Sequence, residues 1–392
     1  MSQRVVVGLS GGVDSSVAAY LLKQQGYDVV GVFMINWHDK TGLLKPDCPW
    51  DKDVLFAEMV AKKIGIPFHV VDLSEKYYTR VVDYMFSEYE KGRTPNPDIL
   101  CNREIKFDEF FNACEQFHPD FIATGHYCKK DEFMSDNGMV YRLLAGDDPG
   151  KEQSYFLCQL SQHQLSRTLF PVGHIHKSDL RDIARKANLP TAEKKDSQGI
   201  CFIGKVSLPD FLQQQLKPKE GLIIEIPENF SGYGKHLPRN PAIEDYSKPY
   251  VYRQEDGKIA GKHQGAHYYT IGQRKGLNVG GKAKPLFILA TDTKENIIYT
   301  GMGQEHPGLY RKGLFVPGSD IHWIRRDLEM KTGDEREYMV RIRYRQPLQK
   351  AKLYRREDGM YFVFEEMQRG ITPGQFAAWY CEGELLGSGV IF

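Results

Sequence analysis

Three short strings in the 392-residue chain hold residue types that could do chemistry. The first, SGGVDSS (residues 10–16), follows an apolar run and precedes an apolar pattern of helical spacing. Glycines and hydroxyl residues at the start of a helix gather backbone N–H groups that have no partner within the helix, where the dipole also favours an anion. That is phosphate chemistry, yet the usual phosphate loop places a lysine before its final Ser or Thr, and this string has Asp14 and no lysine. Ser10 or Asp14 capping a closely packed helix is the plain alternative. The second string, TPNPDILCNREIKF (residues 94–107), puts Asp98 three residues before Cys101, in a segment stiffened by Pro95 and Pro97 that leads into a helix. A thiol near a helix start has its thiolate favoured, and the prolines restrict the chain that carries it. Asp98 reads equally as a general base or base-orienting carboxylate and as a helix cap. The third string, KKDSQGICFIG (residues 194–204), sets Cys201 after a glycine with Lys194 and Lys195 near in sequence, and cations also favour a thiolate. Taken singly, each cysteine reads as a small buried apolar residue.

The elements that must position these strings alternate over the first 200 or so residues. Runs rich in Val, Ile and Phe at residues 4–9, 28–35, 68–73 and 120–126 predict strands, and three- and four-residue apolar spacing at 13–25, 53–64 and 107–117 predicts helices. Strand and helix in repetition give an α/β fold with a parallel sheet covered on both faces, which binds ligands at the carboxyl ends of its strands. The glycine-serine loop lies at such an end. From about Leu208 the chain turns rich in Pro, Gly, Tyr and charge, and beyond about Lys284 short alternating runs predict a small antiparallel β-barrel. The expected units are residues 1–207, 208–284 and 285–392.

Composition narrows the class. With 41% hydrophobic residues the chain can bury a sizeable core, and its length suits two or three domains. The opening MSQRVVVGLSGG is too short in apolar residues for an export signal, and no apolar run approaches the roughly 20 residues of a spanning helix, so a cytoplasmic protein with no membrane association is expected. Seven cysteines without a CxxC pair argue against a disulfide framework or structural zinc and for a reducing compartment. No metal-ligating set is picked out, and His118, His174 and His176 have no ligand spacing. A net charge of +1 leaves nucleic-acid binding to local patches. One such patch runs from Gly257 to Lys284, with Lys258, Lys262, Arg274, Lys275, Lys282 and Lys284, no acidic residue, and His263, His267, Tyr268 and Tyr269 interleaved to stack or pack. A solvated basic loop is the plain alternative.

The SGGVDSS string directly after a strand resembles the pyrophosphate loop of the ATP pyrophosphatases, which split ATP between the α and β phosphates and adenylate a substrate oxygen. Beside such a loop, two framed thiols point to activation of an oxygen followed by attack of sulfur. In order, SGGVDSS, PNPDILCN, ATGHY, EQSYFL, DSQGICFIG, GQRKGL and RYRQ closely resemble the tRNA-specific 2-thiouridylase family, over nearly the whole chain. The resemblance implies an adenine nucleotide hydrolase-like domain, a small central tRNA-contacting domain and a C-terminal β-barrel. It implies that ATP, with Mg2+, is held by Gly8, Leu9, Ser10, Gly11, Gly12, Val13, Asp14 and Ser15, with Met34 and Gly125 beside the nucleotide. Asn96, Pro97 and Asp98 would face the target base, the wobble uridine (position 34) of the tRNA anticodon. Cys101 would be the nucleophile and Cys201 the persulfide carrier, the two passing through a transient Cys101–Cys201 disulfide, with a protein donating the persulfide sulfur. His126, Lys151, Glu152, Gln153, Arg343, Tyr344 and Gln375 of TPGQ match tRNA-contacting positions.

The departures are few. Glu152 stands where the family often has Asp and Gln198 where it often has Thr, and the stretch from about Pro227 to Gly257 is longer than usual. Cys48, Cys114, Cys128, Cys158 and Cys381 take no role from the resemblance, and Cys114 on its helix reads as core. Two competing readings are an adenylating enzyme acting on a small metabolite, which would need neither the basic segment nor the barrel, and a non-catalytic tRNA-binding protein with a relic nucleotide loop, which would not need two framed cysteines.

Overall fold

The computed structural model describes residues 2–38, 51–196, 208–213, 215–235 and 237–392. Strands β1 (Arg4–Gly8), β2 (Asp28–Ile35), β3 (Phe68–Asp72) and β4 (Phe121–Ala123) are followed by a hairpin of β5 (Cys128–Ser135) and β6 (Gly138–Ala145), then by β7 (Thr168–Leu169). β1 to β4 and β7 make one parallel sheet in the order β3-β2-β1-β4-β7, with Gly8 of β1 opposite Val32 of β2. The near-continuous apolar sequences of β1 and β2 are those of strands buried on both faces, whereas β3, at the edge, is partly exposed. One face packs Val5, Val7, Phe33 and Ile35 against α1 (Val13–Gln24) and α2 (Asp51–Ile64), through Ala19, Leu22, Ala57 and Val60. The other packs Val6, Val30, Val32 and Met34 against α3 (Ser74–Tyr77), α4 (Asp83–Glu90), α5 (Pro97–Leu100) and α6 (Phe110–Cys114). The doubly wound sheet expected from the sequence is present.

The helix expected over 107–117 starts earlier, because a start signal precedes it. Asn96 accepts a hydrogen bond from the Ile99 N–H at 3.3 Å and Pro97 occupies the first helical position, where its missing N–H costs nothing. Between α5 and α6 the helix widens to π geometry over Cys101–Glu109, a form found mostly in short pieces and at functional sites.

After α7 (Gln162–Ser166) and α8 (Lys177–Lys186), a second sheet joins β8 (Gly221–Glu225), β9 (Lys258–His263), β10 (Leu286–Asp292) and β11 (Ile297–Met302) in the order β10-β11-β8-β9. The sheet runs across residue 284, the edge expected between the second and third units. A third, antiparallel sheet joins β12 (Tyr310–Pro317), β14 (Glu335–Arg341), β15 (Gln349–Arg355), β16 (Gly359–Arg369), β17 (Phe376–Cys381) and β18 (Glu384–Val390), with β13 (Ile321–Trp323) pairing β18. It wraps a core of Trp323, Leu353, Phe362, Phe364 and Trp379. The β5–β6 hairpin of the first segment continues this third sheet through β18, with Leu144 opposite Glu384.

The long 227–257 stretch fastens the second sheet to the third. Its turn at Ile243–Ser247 lies on β12 and β16, and buried Arg311 donates to the Ser247 carbonyl at 2.9 Å and the Ile371 carbonyl at 3.2 Å. Among the described residues no helix is long and apolar enough to cross a membrane.

Candidate nucleotide and thiol site

The glycine-serine loop leaves β1 at the carboxyl edge of the parallel sheet and turns into α1 at Gly12, whose extended backbone caps the helix with no side-chain hydrogen bond. Neither Ser10 nor Asp14 therefore serves as the cap. The serines instead tie the loop to itself. Ser15 Oγ accepts from the Ser10 N–H at 3.1 Å and donates to the Gly12 carbonyl at 3.2 Å, and Ser16 Oγ donates to the same carbonyl at 2.8 Å. Gly11 stands at φ +70, where a Cβ would be strained and would also lie 2.3 Å from the Asp53 carbonyl oxygen. Gly125, just past β4, packs so closely on the loop that a Cβ there would fall 2.7 Å from the Ser15 nitrogen. The loop is thereby held open-handed, with the first N–H groups of α1 outside the helix's own ladder. Gly8, Leu9 and Val13 set its base, Leu9 and Val13 with their side chains in the core, and Met34 is buried near the end of β2.

Two lysines from far along the chain flank this lysine-free string. Lys177, first residue of α8, donates from Nζ to Asp14 Oδ1 at 2.6 Å and Oδ2 at 2.9 Å, and lies 2.9 Å from Asp196 Oδ1. Tyr127 OH donates to Asp14 Oδ1 at 2.7 Å. Lys194 donates from Nζ to the Gly11 carbonyl at 2.8 Å, pairs with Asp53, and sits 4.3 Å from the centre of the Phe56 ring. Burial works against an ionised Asp196, but hydrogen bonds and charge from Lys151 and Lys177 outweigh it and bring its pKa down to about 2. Lys194, read from the sequence as a neighbour of Cys201, thus serves the loop.

The second string docks against the C-terminal sheet. Gln375 Nε2 donates to the Thr94 carbonyl at 3.0 Å and the Pro95 carbonyl at 3.3 Å, while its Oε1 accepts from Asn96 Nδ2 at 3.5 Å. Asn96, Pro97 and Asp98 are half-buried at the start of α5. Cys101 is fully buried, in one packed cluster with Met34, Leu100, Ile105 and Tyr268. Here the sequence expectation is corrected: burial, with opposing effects of Lys106 (downward) and Asp98 (upward), pushes the thiol up to about 12, so helix-start placement does not make it a thiolate. Lys106 also acts on His126, whose ring is held well below the usual imidazole range by burial and then by that charge. His126 accepts or donates at Nδ1 with Thr124 Oγ1 at 2.7 Å. Cys201, Gln198 and Cys48 lie outside the described residues.

The remaining expected tRNA contacts are engaged within the protein. Lys151 pairs with Asp196 at 2.7 Å. Glu152 is buried, pairs with Arg341 at 2.7 Å and accepts the Ser154 N–H at 2.5 Å. Gln153 Oε1 accepts the Tyr127 N–H at 3.0 Å. Arg343 donates to the carbonyls of Arg369 and Gly370, the latter at 2.8 Å, and the Tyr344 ring lies 4.3 Å from that of Phe156. In the basic segment Lys262 pairs with Glu220 at 2.7 Å and Lys282 with Glu225, His263 and Tyr268 are buried, and Lys258, Arg274, Lys275 and Lys284 stay exposed. Its aromatic residues pack more than they present faces. Cys114, Cys128 and Cys158 are buried and Cys381 is exposed, all as free thiols.

Sequence reasoning missed Lys106, Tyr127 and Lys177. Tyr127 ends the ATGHY string and was open to notice; Lys177 has no local signal, being one of several basic residues on a polar helix.

Residues 3–205 match the family described as tRNA methyl transferase HUP domain, residues 244–302 its PRC-barrel domain and residues 316–391 an aminomethyltransferase β-barrel domain. The chain is 59% identical to a protein of Christiangramia forsetii named tRNA-specific 2-thiouridylase MnmA, over 99% of this chain and 100% of that one. A protein of the same name from Flavobacterium johnsoniae is also 59% identical, over 99% and 100%, and one from Streptococcus pyogenes serotype M2 is 44% identical, over 99% and 95%. Among solved structures, a 4-thiouridine synthetase–RNA complex with bound ATP overlaps 54% of this chain and 50% of its own at 15% identity and a TM-score of 0.32, which decides nothing about this chain.

Proposed function

This chain belongs to the tRNA-specific 2-thiouridylase family, and on that premise we propose that it replaces the C2 oxygen of the wobble uridine (position 34) of tRNA by sulfur, using ATP. The observation that carries the reading is the shared placement of its parts. Met34 and Cys101 pack in one cluster at the face of the parallel sheet, and the anion-favouring loop opens on the same carboxyl edge.

Uridine O2 attacks the α phosphorus of ATP, and pyrophosphate leaves. Loop N–H groups stabilise the charge that develops on the phosphates. Asp14, at the helix start beside the loop, is the carboxylate that would hold Mg2+ carried in on phosphate oxygens once the Lys177 ammonium has left it, since that ion takes one or two carboxylates plus phosphate. Bound there, Mg2+ would neutralise phosphate charge. The terminal sulfur of a Cys201 persulfide then bonds to C2 and AMP departs with the former O2. Cys101 attacks the inner Cys201 sulfur, the S–S electron pair passes to the sulfur on C2, and 2-thiouridine leaves with a Cys101–Cys201 disulfide that an external thiol reduces. If Cys101 acts first and frees hydrosulfide from Cys201, the same disulfide results. With its thiol closed in the core, Cys101 takes part only once tRNA binding has opened the packing around it, while Gln375 keeps its hold on residues 94–96. Asn96, Pro97 and Asp98 face the extruded base, where Asp98 orients it or takes its proton.

The division of labour belongs to the same proposal. Residues 1–207 bind ATP and carry both thiols, 208–284 contact tRNA through the exposed Lys258, Arg274, Lys275 and Lys284, and 285–392, whose first two strands complete the middle sheet, brace the anticodon arm with Arg343, Tyr344 and Gln375. His126, Lys151, Glu152 and Gln153 shape the pocket wall. A persulfide-bearing protein recharges Cys201, and the work is cytoplasmic. The test is turnover of labelled ATP with unmodified tRNA. AMP and pyrophosphate should form only with tRNA, and Cys201→Ser should keep a single round of adenylation while abolishing thiolation; loss of both to the same degree contradicts the role given to Cys201.

A further inference from the structure

We propose that Lys177 is the cation this loop lacks: a pyrophosphate-binding residue that exchanges Asp14 for the β and γ phosphates when nucleotide enters. The inference rests on the nucleotide reading above and goes beyond it. Lys177 is the first residue of α8, and its ammonium stands at Asp14, the second residue of α1, whereas that of Lys194 stands at the Gly11 carbonyl. Its side chain is only 13% exposed, so the ammonium is directed by packing and its options are few. Among them, Asp14 and Asp196 each have another partner. Tyr127 OH donates to Asp14 at 2.7 Å, while Lys151 and Arg181 pair with Asp196 at 2.7 and 2.9 Å. Movement of the ammonium toward a phosphate therefore leaves neither carboxylate alone, which removes the usual cost of breaking a partly buried pair. The backbone helps as well. The Lys177 N–H donates to Asp148 Oδ2 at 2.9 Å, which fixes the start of α8, so the ammonium has only the short step from Asp14 to a phosphate on the loop to make.

Lys194 has a different part. Its ammonium holds the Gly11 carbonyl and Asp53, at the point where Gly11 meets α2 without room for a Cβ. It is a positioning residue for the crown of the loop. A lysine within the loop string would sit on the helix start itself; here the same charge comes from a separate helix, so it approaches the terminal phosphates from outside the cradle of N–H groups.

The test is calorimetric titration of the full chain with inorganic pyrophosphate, ATP and AMP, comparing the unchanged protein with Lys177→Met and Lys177→Arg. Lys177→Met should weaken pyrophosphate and ATP binding roughly tenfold to a hundredfold, as expected for loss of a charged hydrogen bond, and leave AMP binding unchanged. Lys177→Arg should recover most of the affinity, and its thermal unfolding separates a binding defect from misfolding. Pyrophosphate binding by a folded Lys177→Met that equals the unchanged protein's overturns the assignment alone. Failure of the unchanged protein to bind either ATP or pyrophosphate overturns the nucleotide reading and this assignment with it. Equal loss of AMP and pyrophosphate binding in Lys177→Met assigns Lys177 to holding the loop and contradicts its role as a phosphate ligand.

Discussion

Gln375 reaches back across the chain to donate a 3.0 Å hydrogen bond to the Thr94 carbonyl, 281 positions earlier in sequence. The neighbouring Gly374, at φ +90, makes this approach possible, since a Cβ there would lie 2.9 Å from the Thr94 backbone. The segment that presents Asn96, Pro97 and Asp98 is thus held by the C-terminal sheet and by its own helix cap together.

From this anchor follows a prediction about activity. Gln375→Ala leaves the Thr94 and Pro95 carbonyls without their donor. Thiolation of tRNA should fall by about tenfold to a hundredfold, the scale of a misplaced reacting group, while ATP binding is unchanged. A single-turnover assay with calorimetry checks both, and full retention of thiolation would separate the anchor from base placement.

Thiol reactivity should follow burial. At pH 8 iodoacetamide should label exposed Cys381 quickly, and Cys101, Cys114, Cys128 and Cys158 far more slowly. Timed alkylation with peptide mass mapping measures this. Addition of unmodified tRNA should raise the rate at Cys101 selectively.

The Glu152–Arg341 pair joins the first segment to β14, with side chains 8% and 14% exposed. Removing Glu152 strands a nearly buried guanidinium, so Glu152→Ala should cost about 3–5 kcal/mol of stability. Lys151→Ala, which takes one of several partners from a more exposed carboxylate, should cost about 1 kcal/mol or less. Denaturant unfolding of the two variants should rank them in that order.

Acid should weaken the fold partly through His126. Its folded pKa lies below the ordinary value of 6.5, so the unfolded chain takes up the proton first. Stability contributed by the neutral ring is full above 6.5 and declines as pH falls below it, down to the folded value. His126→Asn should flatten the fall in melting temperature between about pH 7 and pH 5.

Much of the parallel sheet was legible in the sequence. β2 and the start of α1 coincide with the expected runs because strands buried on both faces are written as unbroken apolar residues, and the glycine-serine loop announces its own turn. The β5–β6 hairpin was not foreseen, although Asn137-Gly138 at its tip is a strong local turn signal. Nothing local could say that this hairpin extends a sheet built from residues beyond 310, because an edge strand's partner is chosen by tertiary packing. The same limit applies at the site. Cys101 carries every local mark of a reactive thiol, and its burial arises from Met34, Tyr268 and others remote in sequence. Lys177 meets Asp14 across 163 positions, so a reader of the loop alone finds no cation.

The central claim is most directly tested by digesting tRNA to nucleosides after incubation with the full chain, ATP, Mg2+, a persulfide donor and a reductant. The account predicts 2-thiouridine at position 34 with one AMP released per sulfur inserted, and none with either Cys101→Ser or Cys201→Ser. Bound tRNA that stays unthiolated while the protein is folded and charged with persulfide, or thiolation that persists without both cysteines, would contradict it.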